Sequence, residues 1–433
     1  MLEAAETTHG APEGSRLGTS RTEFPPPSGG DHSTRRLTRY ERRQKSSRWL
    51  IQAAREAAGL PAVAGEVLDV DTGELRPVRA RDPEWVKPPR PARCRWRLGE
   101  VVGVHHGDGT AHWSGLERCA SIWACPVCAA VVRAERAAEI QQAVERHQAT
   151  GGSLVFVTLT MRHGPDDALG TTLNAAIKAW QNLLRNQAWV KFRDRYGIDG
   201  YVRAVEVTHG QENGWHPHIH ALFFVDRPLT EDETEQWRTS MFDRWSSYVV
   251  KHGGGMPTAL RGIDVRPADE DGTVVAQYLS KIQETAPETS RQAIGHELAR
   301  GDMKSGRGRH GRMPFELLDG ATKRDAALWI EYVEATKGRR AITWSKGLRD
   351  RLDLDEERTD EQVIQDAEQE NLRVLIPAAS YDRAKNRPAV LAHWLDLAEA
   401  KSYRQLANIT DGHLIKKKPR PAPRVTTTSQ GQP

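Results

Sequence analysis

Three histidines crowd one short stretch, His216-Pro217-His218-Ile219-His220. The run HPHIHALFFV, His216 to Val225, is apolar enough to be read as a buried strand. On a strand, residues i and i+2 point to one face, so the three imidazoles share a side and Ile219 takes the other. Two imidazoles about 7 Å apart along a strand can converge on a single divalent ion. Glu206 lies on the preceding strand, YVRAVEVTH (Tyr201–His209), and the turn GQENG makes the two a hairpin. It stands near a cross-strand position to the histidines. His218, His220 and Glu206 would then leave coordination positions open for a phosphate oxygen. Mixed nitrogen and oxygen ligation suits Mn²⁺ well and Mg²⁺ adequately.

A second pair of interest is Tyr278 and Lys281, three apart on the segment GTVVAQYLSKIQET (Gly272–Thr285). Helical spacing puts them on one face. A phenol ionises near pH 10, so a nucleophilic tyrosine needs positive charge beside it. Lys281 and a divalent ion would supply that charge and would stabilise a pentacoordinate phosphate.

All four cysteines fall between Cys94 and Cys128, and Cys125-Pro-Val-Cys128 is a tight pair. Such a pair wraps one ion readily, and Cys119 lies just upstream. Cys94, Cys119, Cys125 and Cys128 would make a closed structural Zn²⁺ site. Cys94 is the open place in that set, since His105, His106 or His112 could fill it. A basic, glycine-rich run, KSGRGRHGRMP, offers Lys304, Arg307, Arg309 and Arg312 to phosphates. Trp215, beside the histidines, is the expected base-stacking residue.

These groups need elements to hold them. SLVFVTLTM (Ser153–Met161) reads as a buried strand, after a helix over Val131–Ala149. LNAAIKAWQNLL (Leu173–Leu184) is an amphipathic helix, and Thr230 to Val250 another, with Thr230 and Glu233 at capping-box spacing. IDVRPA (Ile263–Ala268) is a short strand. This order predicts an α+β fold: an antiparallel central sheet with flanking helices, plus a Cys-rich zinc module and a helical C-terminal region.

The expected organisation is a disordered tail (1–45) ending in a basic run from Arg35 to Arg43, an N-terminal segment (46–93), and a Cys-rich module (94–130). A catalytic domain (131–345), a helical region (346–412) and a basic disordered tail (413–433) follow. Residues 46–65 are read as a short helix. The chain has 433 residues and a net charge of only +4, so bulk charge says little about partners. No apolar run is long enough to span a bilayer, and the N-terminus lacks the features of a secretory signal. The expected location is the cytoplasm, where the thiols would be reduced.

Taken in order, three segments resemble the motifs of HUH-type endonucleases, specifically the rolling-circle replication initiators of Gram-positive plasmids. FVTLT (Phe156–Thr160) is similar to their first motif, HPHIHAL (His216–Leu222) to the second, and YLSK (Tyr278–Lys281) to the third. The resemblance implies an HUH endonuclease or RRM-like sheet. It implies His218, His220 and Glu206 as metal ligands, Tyr278 as nucleophile and Lys281 as its electrostatic partner. The implied reaction nicks origin DNA, leaving a 5′-phosphotyrosyl link and a 3′-OH primer, with host helicase and polymerase as expected partners. Some relatives place a glutamate one turn before the tyrosine; here that residue is Val274. The competing readings are a transposase or relaxase of the same chemistry, a metal hydrolase for another substrate, and a non-enzymatic zinc-dependent DNA-binding regulator.

Overall fold

The computed structural model describes residues 32–61, 66–68, 75–77, 82, 85–107, 109–268, 312–366 and 371–415. In chain order these form α1 (His32–Ala57), β1 (Glu66–Leu68), β2 (Leu75–Pro77), α2 (Arg90–Arg93), β3 (Val101–Gly107), β4 (Thr110–Ser114) and α3 (Pro126–Ala149). Next come β5 (Ser153–Leu159), α4 (Leu169–Leu183), α5 (Asn186–Arg195), β6 (Ile198–Gly210), β7 (Gly214–Val225), α6 (Glu231–Lys251) and β8 (Ile263–Pro267). A 3₁₀ turn (Pro314–Leu318) leads to α7 (Lys323–Thr336), β9 (Ile342–Trp344), α8 (Leu348–Arg351) and α9 (Asp360–Asp366). The last elements are β10 (Leu372–Pro377), α10 (Ala378–Ala384), α11 (Pro388–Glu399), α12 (Tyr403–Ile409) and β11 (His413–Leu414). The fold is α+β, with antiparallel sheets and flanking helices.

The larger sheet has the order β8-β5-β7-β6-β9, every pairing antiparallel. Its strands alternate, and each face finds its own cover. Val155, Val157, Ile219, Ala221 and Phe223 pack with Trp180 of α4 and with Trp237, Met241 and Trp245 of α6. The opposite face puts Leu154, Phe156, Leu222 and Phe224 in a core with Ile140, Ala143 and Val144 of α3. The β6–β7 hairpin turns at Gly214, whose φ is +70°. A Cβ there would sit 2.9 Å from the Gly164 carbonyl oxygen, so the turn needs glycine twice over. Helix α6 starts at the expected capping box: Glu233 N donates to Thr230 Oγ1, and Thr230 N donates to Glu233 Oε2.

Two expectations from sequence need correction. The segment read as a disordered tail followed by a short helix is, from His32 onward, one 26-residue helix that ends at Ala57. Its low apolar content suggested disorder, but polar pairing docks it. Arg36 is buried and donates to both Asp396 and Glu399 of α11, and Ser46 and Ser47 donate to the Ala124 and Ala92 carbonyls. Local pattern cannot show a helix whose partners lie at the other end of the chain.

The second correction concerns the Cys-rich segment and the helical C-terminal region, which were read apart. They share one four-stranded sheet in the order β11-β10-β3-β4. Val102, Val104 and Trp113 meet Val374, Ile376, Tyr381, Trp394 and Leu395 in a single core. Trp394 is 6% exposed and its ring lies 6.2 Å from that of Trp113. Trp394→Ala is therefore expected to destabilise the chain by about 3–5 kcal/mol. Urea unfolding checks this: a loss under 1 kcal/mol would mean that the C-terminal helices lean only loosely on the sheet.

Candidate metal centres

The hairpin register builds the first centre. Glu206 on β6 stands opposite His218 on β7, and Ala204 stands opposite His220. On the other flank, Thr158 of β5 stands opposite His220. Parity along each strand then puts His216, His218, His220, Glu206 and Thr158 on one face. The ligand atoms of Glu206, His218 and His220 all lie within 4.8 Å of one another. His220 Nε2 is 2.8 Å from Glu206 Oε2.

His218 Nε2 is buried and has no hydrogen-bond partner among the described residues. Burial lowers the His218 pKa to about 4, with Glu206 opposing the fall, so the imidazole is neutral with a lone pair to give. An orphaned imidazole nitrogen, a second imidazole and a carboxylate oxygen at this spacing fit a divalent cation with open positions. His216 is close by, its ring 4.0 Å from His218 and 4.2 Å from His163, but it is not in the tight triad.

The FVTLT strand supports this centre directly, a role that the sequence alone did not reveal. Thr158 Oγ1 is 3.1 Å from His220 Nδ1, and the Phe156 ring stacks on His220 at 5.7 Å and 12°. A bonded Nδ1 fixes the tautomer that leaves Nε2 for a metal. Thr158→Val keeps the shape and loses the hydroxyl. It is expected to weaken Mn²⁺ binding by about 10- to 100-fold, with Thr158→Ser restoring it. Calorimetric titration reads this, and equal affinity in all three proteins would rule out the role.

Tyr278 and Lys281 lie outside the described residues, as do Lys304, Arg307 and Arg309. Trp215 and Arg312 are described, and neither is presented as expected. Trp215 is 2% exposed, donates Nε1 to Glu331 Oε2 at 2.8 Å, and stacks on Tyr332. One residue from His216, it faces the other way, by the same parity that groups the histidines. Arg312 pairs with Asp325 at 2.7 Å, and its backbone bridges to His209.

The second centre joins four buried cysteines. Cys94 follows α2, Cys125 caps α3 and Cys128 lies in its first turn. The Cys94–Cys128 and Cys94–Cys125 sulfurs are 3.6 Å apart, and Cys119–Cys128 are 3.7 Å apart. A disulfide would bring sulfurs to about 2.05 Å. Four sulfurs about 2.3 Å from a tetrahedral ion would be about 3.8 Å from each other, close to what is seen. Cys94 thus completes the set in place of the nearby histidines. His105 is 2.7 Å from Ser114 Oγ, and His106 is 2.6 Å from the Tyr403 hydroxyl. Thiol hydrogen bonds from Cys119, Cys125 and Cys128 pull the Cys94 pKa well down, while those contacts and burial push Cys119 up. Such a cluster is suited to a cation that takes the charge of several thiolates.

An α+β sheet carrying a histidine–carboxylate triad, joined to a four-cysteine cluster, defines a protein with two sites able to hold a metal ion. Residues 116–251 match the family model described as "Replication protein". "Protein rep" of Streptomyces lividans is 34% identical over 317 residues, which is 59% of this chain and 68% of that protein. A protein of Streptomyces cyanogenus named "Neomycin resistance protein" is 33% identical over 184 residues, 34% of this chain and 41% of its own length. "Protein rep" of Streptococcus pneumoniae is 35% identical over 75 residues, 17% of this chain and 22% of that protein. No solved structure matches the chain. The chain belongs to the Rep family of plasmid replication initiators. A protein of that role is expected to bind DNA. The family match includes Glu206, His218, His220 and three of the four cysteines, and it ends before Tyr278. No described helix is long and apolar enough to cross a membrane.

Proposed function

We propose that this chain starts rolling-circle replication of a plasmid by nicking one strand at the origin. The larger sheet serves as an HUH endonuclease sheet of RRM-like form. Glu206, His218 and His220 would hold Mn²⁺ or Mg²⁺, and the cysteine cluster would hold Zn²⁺. The divalent cation, when bound, supplies Lewis-acid polarisation of the scissile phosphate. The Tyr278 phenol gives up its proton to solvent, its oxygen attacks the phosphorus, and the bond from phosphorus to the 3′ oxygen breaks. The departing oxygen takes a proton and becomes the 3′-OH primer; the 5′ phosphate stays on Tyr278. Lys281 offsets the charge on the phenolate and on the pentacoordinate phosphate. Phosphodiester energy is kept in the phosphotyrosyl bond, so a later strand can reseal the circle.

The observation that carries this reading is the orphaned His218 Nε2 beside His220 and Glu206, on a sheet whose chain belongs to a replication-initiator family. The test is to incubate the protein with labelled single-stranded origin DNA and Mn²⁺ and run a denaturing gel. A covalent adduct and a 3′ end that a polymerase extends are expected. A mobility shift under native conditions with intact DNA on the denaturing gel would instead describe a DNA-binding regulator.

A further inference from the structure

A cleft of about 420 Å³, lined by none of the triad residues, lies between α1, the loop after Cys94 and the segment that follows α10. Arg43, Ser47, Arg48, Arg95, Trp96 and Lys385 line it, and among the described residues no acidic side chain does. Arg95 is 5% exposed. Its Nη2 donates to the Tyr40 hydroxyl at 2.8 Å, and its guanidinium lies 4.3 Å from the centre of the Tyr40 ring. Nε and Nη1 have no hydrogen-bond partner among the described residues. Arg43 is also buried and spends Nη1 on the Cys94 carbonyl. Both cations are therefore held by neutral groups. At the rim, Arg48 is exposed, and Lys385 pairs with Asp382 at 3.0 Å.

Enclosing a cation without a carboxylate is costly, and the cost falls when an anion from outside comes near. The field of such a charge extends into the cleft because little water screens it there. Arginine is the side chain best matched to phosphate oxygens. The basic run Arg35–Arg43, which from sequence alone reads as the end of a disordered tail, carries Arg43 into this cleft on α1. We propose that the cleft binds a phosphate of the DNA backbone, with Arg48 and Lys385 contacting it and Arg43 and Arg95 attracting it from below. This rests on membership of the replication-initiator family and is independent of the nicking chemistry.

The experiment uses the full-length protein, a short fluorescent DNA duplex and anisotropy over a range of NaCl concentrations, with no added divalent cation. Arg48→Ala combined with Lys385→Ala removes the two rim charges and leaves the buried ones alone. Affinity is expected to fall about tenfold near 0.1 M salt, and the log–log salt slope to drop by about 2. Circular dichroism and Mn²⁺ binding matching the wild type show that the variant is folded. A folded variant with unchanged affinity and slope overturns the proposal. A second arm heats both proteins with and without inorganic phosphate. If phosphate protects only the wild type while duplex binding is equal in the two, the cleft holds a free anion and the DNA assignment is wrong. Tyr278→Phe should bind the duplex as the wild type does, so loss of nicking and loss of this contact are read separately.

Discussion

Tyr278→Phe is expected to form no covalent adduct with origin DNA and to cut it at least about 10⁴-fold more slowly than the wild type. The substitution removes one oxygen and keeps the ring. In the proposed mechanism that oxygen is the nucleophile, so its loss removes the chemical step. The proposed metal ligands Glu206, His218 and His220 sit on β6 and β7 and are untouched by the change. Mn²⁺ affinity should therefore stay within twofold of wild type, a second readout that separates lost chemistry from lost folding. The residual rate reports what positioning and electrostatics do without a covalent route. A phenylalanine variant that nicks at the wild-type rate would assign the attack to water or to another residue. The triad would then describe a metal hydrolase.

Cys128→Ser is expected to lose one equivalent of bound metal and to unfold at least the region around the cysteines. The magnitude follows from what a structural ion contributes. Zinc holds small sites with about 10–16 kcal/mol, as much as or more than the whole stability of an ordinary domain. The four sulfurs here are buried and all lie within 4.8 Å of one another. A serine hydroxyl is shorter and a poor ligand for zinc, so the cluster would be left open and partly charged in an apolar setting. The damage should not stay local. Cys94 O accepts from Arg43 of α1, and Trp123, between Cys119 and Cys125, donates to the Arg339 carbonyl after α7. The cysteine loop thus ties the N-terminal helix to the larger sheet's covering layer. Metal analysis of the purified protein and a circular dichroism melt check both parts. If wild type carries no metal and Cys128→Ser melts at the same temperature, the four cysteines are packed thiols and the zinc assignment fails.

What could be read without coordinates was what depends on near neighbours in the chain. Strand parity put His218 and His220 on one side and Ile219 on the other, and a hairpin turn brought Glu206 across from them. The Cys125–Cys128 pair pointed to a candidate metal site because its spacing alone can bend around one atom. The capping box at Thr230 and Glu233 is visible for the same reason: both partners lie within one helical turn. Trp215 is the counter-example. Its closeness to the histidines in sequence suggested a shared surface, while parity sends it to the opposite side and into contact with Glu331 and Tyr332.

The tertiary structure decided everything that needed a partner far along the chain. Cys94 is the fourth sulfur because Arg43 of α1 holds its carbonyl and the backbone at Arg95 and Trp96 bonds to Glu117, two residues before Cys119, which no spacing rule reveals. Thr158 became a partner of His220 only once β5 took its place beside β7, in a register set by burial on both faces. β10 joined β3, and α1 was held by Asp396 and Glu399, because the two ends of the chain share one core. The sequence by itself thus determined the candidate ligand types, the strand that carries them and the family chemistry they resemble. Which groups surround, orient and neutralise those ligands was left to packing, because hydrogen bonds and apolar contacts act through space and take no account of distance along the chain.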